Sequence, residues 1–263
     1  MEPSNLESAR SKLEHSLDLL NTVANEIAAD REDIASTKEL PHEFGGRFEV
    51  GRDGSRWLVI RCTKVKRKPP TRWGLLVGDA MHNARSALDH LACRLVELNF
   101  KEPTSLTAFP IWDELPKSKD RRNRFERIIE GMSDIHKEGI RRLQPFANPD
   151  SRESAMLVAL AYLDNLDKHK RLVPLVTTVA EQASVTHSLV LPGSAEVHWN
   201  LGVELKPSVE IMRLRSLDRL PTQIDLSGVV RITFGDPRTG FAELFEIRSY
   251  CVGIVESFAP DWS

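Results

Sequence analysis

The sequence predicts an α+β protein: a helical bundle with an inserted β-hairpin, followed by a C-terminal antiparallel sheet and a terminal helix. Three observations predict it. Apolar residues recur at steps of three and four through most of the first 170 positions. The segment Gly51-Arg52-Asp53-Gly54 interrupts that rhythm with a tight-turn signal between two β-type runs. After Pro174 the pattern becomes β-branched and alternating. The expected organisation is a helical bundle over residues 1–172 with the hairpin near 46–65, then a β-rich region with its helix over 173–263. The two parts are also compatible with one compact unit.

The first helix is expected over residues 5–31, where Leu6, Leu13, Leu17, Leu20, Val23, Ala24 and Ile27 form one stripe. Ser4 with Glu7 is a capping-box pattern that places its start. RFEV and RWLVIRCTKV flank the Asp-Gly turn as hairpin strands, and Pro69-Pro70 ends the second one because proline lacks a backbone donor. A long helix follows at 71–99 with Thr71 as N-cap. Residues 101–116 contain three prolines with Phe109 and Trp112, and read as an irregular packed connection. Helices are expected at 117–131, 133–143 and 151–170. The strands VPLVTTV, SVTHSLVL, EVHWNLGVELK, SVEIMRL and GVVRITF follow, and FAELFEIRSYCVGIVESF returns to helical spacing.

Composition narrows the classes. The 263 residues carry 36 Lys+Arg against 38 Asp+Glu, a net charge of −2, which excludes a strongly basic DNA-coating protein. No apolar run approaches the roughly 20 residues of a membrane span. The polar start MEPSNLESARSKLEH has no signal-peptide core, and the three cysteines are far apart. A cytoplasmic protein without a membrane partner is expected. No G-x-G-x-x-G, P-loop, G-x-S-x-G or H-E-x-x-H pattern occurs, so the common nucleotide, serine-hydrolase and zinc-hydrolase classes lack their chemistry.

Two polar knots remain. The helix at 71–99 carries Asp79, His82, Asn83, Arg85, Ser86, Asp89 and His90 within twelve residues. At about 100° per residue, with His82 at zero, Arg85 lies near −60°, Asp89 near −20°, Asp79 near +60°, His90 near +80° and Asn83 near +100°, one broad face. Arg85 and Asp89 stand at i and i+4, where a salt bridge is sterically open. A solvated face or a satisfied structural network explains such a cluster, and so does convergence on a phosphate or a metal. The second knot, Asp164 to Arg171, closes another helix. Its cations complement the helix dipole there, or Asn165, Asp167 and His169 form the other half of one site with His82 and His90.

The segment HNARSALDH resembles the R-x(4–6)-H motif of HEPN ribonuclease-type domains, helical bundles that are often dimeric. Arg10 and His15 share the spacing, but Arg85 and His90 have the polar company of His82, Asn83, Ser86 and Asp89. Taken with LDNLDKHKRL, Phe109-Pro110-Ile111 and the Leu143–Pro145 turn, residues 70–172 resemble a group of uncharacterised bacterial and phage-associated proteins. The HEPN resemblance implies cleavage of RNA through 2′-hydroxyl attack without metal or other cofactor, in a homodimer. Arg85 then binds the scissile phosphate, His90 acts as acid or base, and Ser86 and Asp89 orient them. His82, Asn83, Asn165, Lys168 and His169 would contact substrate. Two other readings stand beside this one: a non-catalytic binding or assembly module, and a metal protein using His82, His90, Asp79 and His169.

Charge is uneven along the chain. Residues 61–72 hold six cations and no acid, and residues 117–142 hold nine Lys/Arg against five Asp/Glu. The first of these, a basic strand end, reads either as a guide for a phosphate backbone or as a solvated edge strand protected by lysines. Residues 1–40 are acidic, with nine Asp/Glu against four Lys/Arg.

Overall fold

In the computed structural model the described residues are 6–115, 117–168, 173, 175–179, 196–215, 230–235 and 239–262. The chain runs α1 (Glu7–Thr37), β1 (His42–Val50), β2 (Arg56–Val65), α2 (Thr71–Leu98), α3 (Lys119–Ile128), α4 (Asp134–Arg142) and α5 (Arg152–Lys168). It continues through β3 (Leu175–Val179), β4 (Glu196–Trp199), β5 (Glu210–Arg215), β6 (Val230–Phe234) and α6 (Phe241–Ser257). This is the expected α+β composition, with the hairpin after the first helix and a helix at the end. Ser4 and the segment SVTHSLVL lie outside the described residues. Among the described residues no helix is long and apolar enough to cross a membrane.

The division of the chain does not follow its order. One unit comprises residues 1–25, 74–173 and 242–263, and the other 26–73 and 174–241. The boundary expected near 172 is thus replaced by an interleaved one, in which the hairpin belongs with the later strands and the terminal helix with the bundle. The physical cause is strand pairing. An isolated hairpin is marginal in water because it cannot cover its own apolar face. Here β2 pairs antiparallel with β1 on one side and with β5 on the other, in a four-stranded sheet of order β1-β2-β5-β4. Strands β3 and β6 form a second, two-stranded antiparallel sheet.

In the β unit, alternation puts Leu58, Ile60 and Cys62 of β2 and Met212 and Leu214 of β5 into one cluster with Ile211, Val179 and Leu205. The turn is closed by Gly51 N–H donating to Ser55 O at 2.7 Å, with Gly54 at φ +78°, a left-handed conformation that suits glycine. The basic segment 61–72 is largely neutralised. Arg61 meets Glu49 at 2.6 Å and Glu210 at 3.3 Å, and Lys66 meets Glu43 at 2.8 Å. Arg67 lies 2.5 Å from Asp30 and 2.8 Å from Asp33, and Arg72 pairs with Glu26. The acids of the second half of α1 therefore answer the cations of the strand end.

In the helical unit, α2 is enclosed on most of its circumference: Val77, Ala80, Met81, Ala84, Ala87, Leu88, Leu91, Ala92, Leu95 and Val96 are fully buried. Leu75, on the side facing away from this core, is 46% exposed. The alanines let α1 approach closely enough for Ser16 Oγ to donate to Ala80 O at 2.8 Å. Helices α3 and α4 start on serine caps, Ser118 Oγ accepting from Arg121 N at 3.2 Å and Ser133 Oγ from His136 N at 3.3 Å. Between them Gly131 takes φ +93°, and Asn99 Nδ2 donates to its carbonyl at 2.9 Å. Leu244, Ile247, Cys251, Ile254 and Val255 of α6 are buried in this chain's core.

Candidate functional site on the second helix

Burial of α2 on its apolar sides leaves one narrow stripe in reach of solvent. Asp79 and His82 are exposed, and Ser86, Asp89, His90 and Cys93 are half-buried. These positions follow the three-and-four spacing of one helix face, so the polar face expected from the sequence exists. Its members have different surroundings.

His82 Nδ1 lies 2.9 Å from Asp164 Oδ1 of α5, the histidine side chain 47% exposed and the aspartate 3%. An ionised carboxylate only accepts hydrogen bonds, so Nδ1 is the donor in this contact. Asp164 was legible in the second knot but was not among the expected site residues; Asn165, which was, is exposed to solvent. The helical period separates them: Asp164 follows Leu157, Leu160 and Leu163 to the inner side of α5, and Asn165 lies about 100° further round. The side chain of Lys168 and the whole of His169 lie outside the described residues, and with them the approach of His169 to His90.

Arg85 and Asp89 point to a different neighbour. Arg85 Nη2 donates to Phe109 O at 2.6 Å and lies 3.1 Å from Asp89 Oδ1. The same Asp89 oxygen accepts from Phe109 N at 2.9 Å. The pair thus satisfies both polar atoms of one buried residue in the 101–116 connection and pins that segment to α2. Arg85 Nη1 is shut from solvent and has no hydrogen-bond partner among the described residues. In this arrangement the guanidinium anchors the 101–116 connection to α2. Behind it the buried Cys251 thiol is pushed up to about 12 by desolvation, against which the charges of Arg85 and Arg248 act.

Asn83 leaves the face as well. It is 8% exposed, with Nδ2 donating to Asp79 O at 2.8 Å and Oδ1 accepting from Lys12 Nζ at 3.1 Å. Through Lys12 it joins α2 to α1. Ser86 and His90 make no side-chain hydrogen bond to a described residue and stay on the half-buried stripe. His82 and His90 are eight residues apart, about 12 Å along the axis. Arg10, the other arginine with this spacing, binds Glu256 through Nε and Nη2, each at 2.8 Å, while His15 is exposed. Among the described residues no group of three or more His, Cys, Asp or Glu is placed to hold a metal; His169 of the expected metal set lies outside them.

The arrangement offers one histidine oriented by a buried carboxylate, a second histidine two turns away, and a guanidinium–carboxylate clamp beside them. Comparison of the chain with protein-family models, with curated proteins and with solved structures gives no match.

Proposed function

We propose that the helical unit is a metal-independent, HEPN-like endoribonuclease in which His82, oriented by Asp164, handles the proton. The observation that carries this reading is the half-exposed imidazole whose Nδ1 is held 2.9 Å from a buried carboxylate. That contact selects the tautomer and aims Nε2 outward, the arrangement general acid–base catalysis needs. RNA is the substrate that the resemblance of HNARSALDH to HEPN domains implies, and the likeness to bacterial and phage-associated proteins belongs to the same proposal. His82 Nε2 takes the proton of the ribose 2′-hydroxyl, whose oxygen attacks phosphorus. The 5′-oxygen leaves with a proton, giving a 2′,3′-cyclic phosphate and a 5′-hydroxyl.

The departing oxygen needs an acid. His90 lies about 12 Å along the helix from His82, too far for both rings of one chain to hydrogen-bond one phosphate group. In this reading His90 of a second copy supplies that proton in a symmetric homodimer, while Arg85 and Asp89 are positioning residues that fix the floor of the site. Three unpaired cysteines, two of them buried, fit a reducing cytoplasmic setting.

The test is incubation of the purified chain with total RNA in EDTA. Cleavage with cyclic phosphate ends is expected, with a loss of about 10²–10⁴-fold in His82→Ala and in Asp164→Asn. A second reading, a non-catalytic binding or assembly module, is favoured by the clamp, because two of the four residues of the motif hold the 101–116 connection. Wild-type protein that leaves RNA intact, with or without zinc or manganese, selects that reading. Activity lost in EDTA and restored by either metal ion replaces both with a metal-dependent site.

A further inference from the structure

Residues 117–127 carry Lys117, Lys119, Arg121, Arg122, Arg124 and Arg127 against only Asp120 and Glu126. Most of this segment is α3, whose one fully buried residue is Phe125. Phe125 is 4% exposed and meets Trp112 edge-on at 5.5 Å and Phe146 at 6.0 Å. The cations at 119, 121, 122, 124 and 127 all face solvent.

The charges of Lys119, Arg121, Arg124 and Arg127 are not cancelled by their neighbours among the described residues. Glu126 is taken by Arg141 of α4 at 2.7 Å, and Lys117 has only Glu114 at 3.8 Å. Lys119, Arg124 and Arg127 have no ion pair with a described residue. The guanidinium of Arg121 lies over the Trp112 ring, 5.2 Å from its centroid, which holds a flat cation on a flat support. The contrast with residues 61–72 is direct: four of the six cations there meet carboxylates, whereas here the charge is left outward. Uncompensated like charges on a short helix cost stability through self-repulsion, and a polyanion removes that cost.

We infer that α3 is a docking surface for the phosphate backbone of single-stranded RNA, with Arg121, Arg124 and Arg127 as its principal contacts. This inference rests on RNA being the ligand of the helical unit. An anionic membrane is the other large polyanion, but a helix that lies in a bilayer surface inserts an exposed apolar face. Helix α3 has none, since Phe125 and the following Ile129 are buried.

The experiment measures anisotropy of a labelled 20-nucleotide single-stranded RNA of mixed sequence, titrated with full-length His82→Ala protein between 50 and 200 mM KCl. Three neutralised phosphates give a log–log salt slope of about −2. Replacing Arg124 and Arg127 by Gln removes about 1.4 of that slope and weakens binding at 50 mM salt, while replacement by Lys restores it, because phosphate contact needs the charge. Replacing the ion-paired Arg67 by Gln leaves the slope unchanged. Equal binding by the double Gln variant, no RNA binding by the parent protein, or binding only to phosphatidylserine vesicles would each overturn the inference. Wild-type cleavage with a silent double variant removes the docking surface and keeps the ribonuclease. Slope loss in the double variant without any cleavage by wild type keeps the docking surface and removes the ribonuclease.

Discussion

Removing Arg85 should unfasten the 101–116 connection, and its cost follows from the clamp geometry. Phe109 is fully buried, its carbonyl takes the 2.6 Å hydrogen bond from Arg85, and its N–H gives the 2.9 Å bond to Asp89. Arg85→Ala therefore strands a buried carbonyl, and Asp89→Ala strands a buried N–H, each at about 1–3 kcal/mol. For a chain of this size that is about 2–12 °C in melting temperature. The two side chains also touch each other at 3.1 Å, so their losses overlap. The double variant should fall short of the sum of the singles by about 0.5–3 kcal/mol. The assay is a double-mutant cycle by urea unfolding, followed by circular dichroism. Single variants melting within about 1 °C of wild type, with energies adding to within about 0.5 kcal/mol, would refute the clamp and return Arg85 to an open cleft.

Three further outcomes are expected. Arg10→Ala, which breaks an exposed bridge to Glu256 with side chains 47% and 43% exposed, should cost less than about 1 kcal/mol in the same unfolding assay. His42 of β1 is 4% exposed with both ring nitrogens buried and unpartnered among the described residues, and burial pushes its pKa below the ordinary value. The unfolded chain then binds the proton more readily, so this contribution is intact above about pH 7.5 and is lost as pH falls through about 6.5; His42→Phe should flatten the urea midpoint between pH 8 and 5, and an unchanged slope would exonerate His42. Gly131→Ala forces a side chain into φ +93° with its Cβ 2.9 Å from Val96 Cγ1, so a loss of at least about 1–2 kcal/mol should appear in thermal melting.

The features readable along the chain are those with a local period. The stripe Leu13, Leu20, Val23 and Ile27 announced α1, the alternation around Leu58 and Ile60 announced β2, and the Asp53-Gly54 turn announced the hairpin. The polar face of α2 was equally legible, because 100° per residue places His82, Ser86 and Asp89 together whatever surrounds the helix. The site's chemistry was less so. Sequence pattern cannot say which polar side chain meets a partner and which meets water; only the structure shows Asp164 buried and its neighbour Asn165 exposed.

Tertiary structure alone decided the rest, because it depends on groups distant in the chain. Nothing local to Leu58 names Leu214 as its partner in β5, yet that pairing moves the hairpin out of the bundle's unit. The tie of Arg85 and Asp89 to a backbone peptide at Phe109 has no side-chain signature at all. Charge shows the same division: residues 61–72 and 117–127 are both basic strings, and only position shows the first facing Glu43, Asp30 and Asp33 while the second faces water. The sequence by itself determined where helices, strands and charges lie, since backbone periodicity and composition are carried within a few residues. The structure determined which of those charges are already answered, since Coulomb and hydrogen-bond partners act through space and ignore distance along the chain.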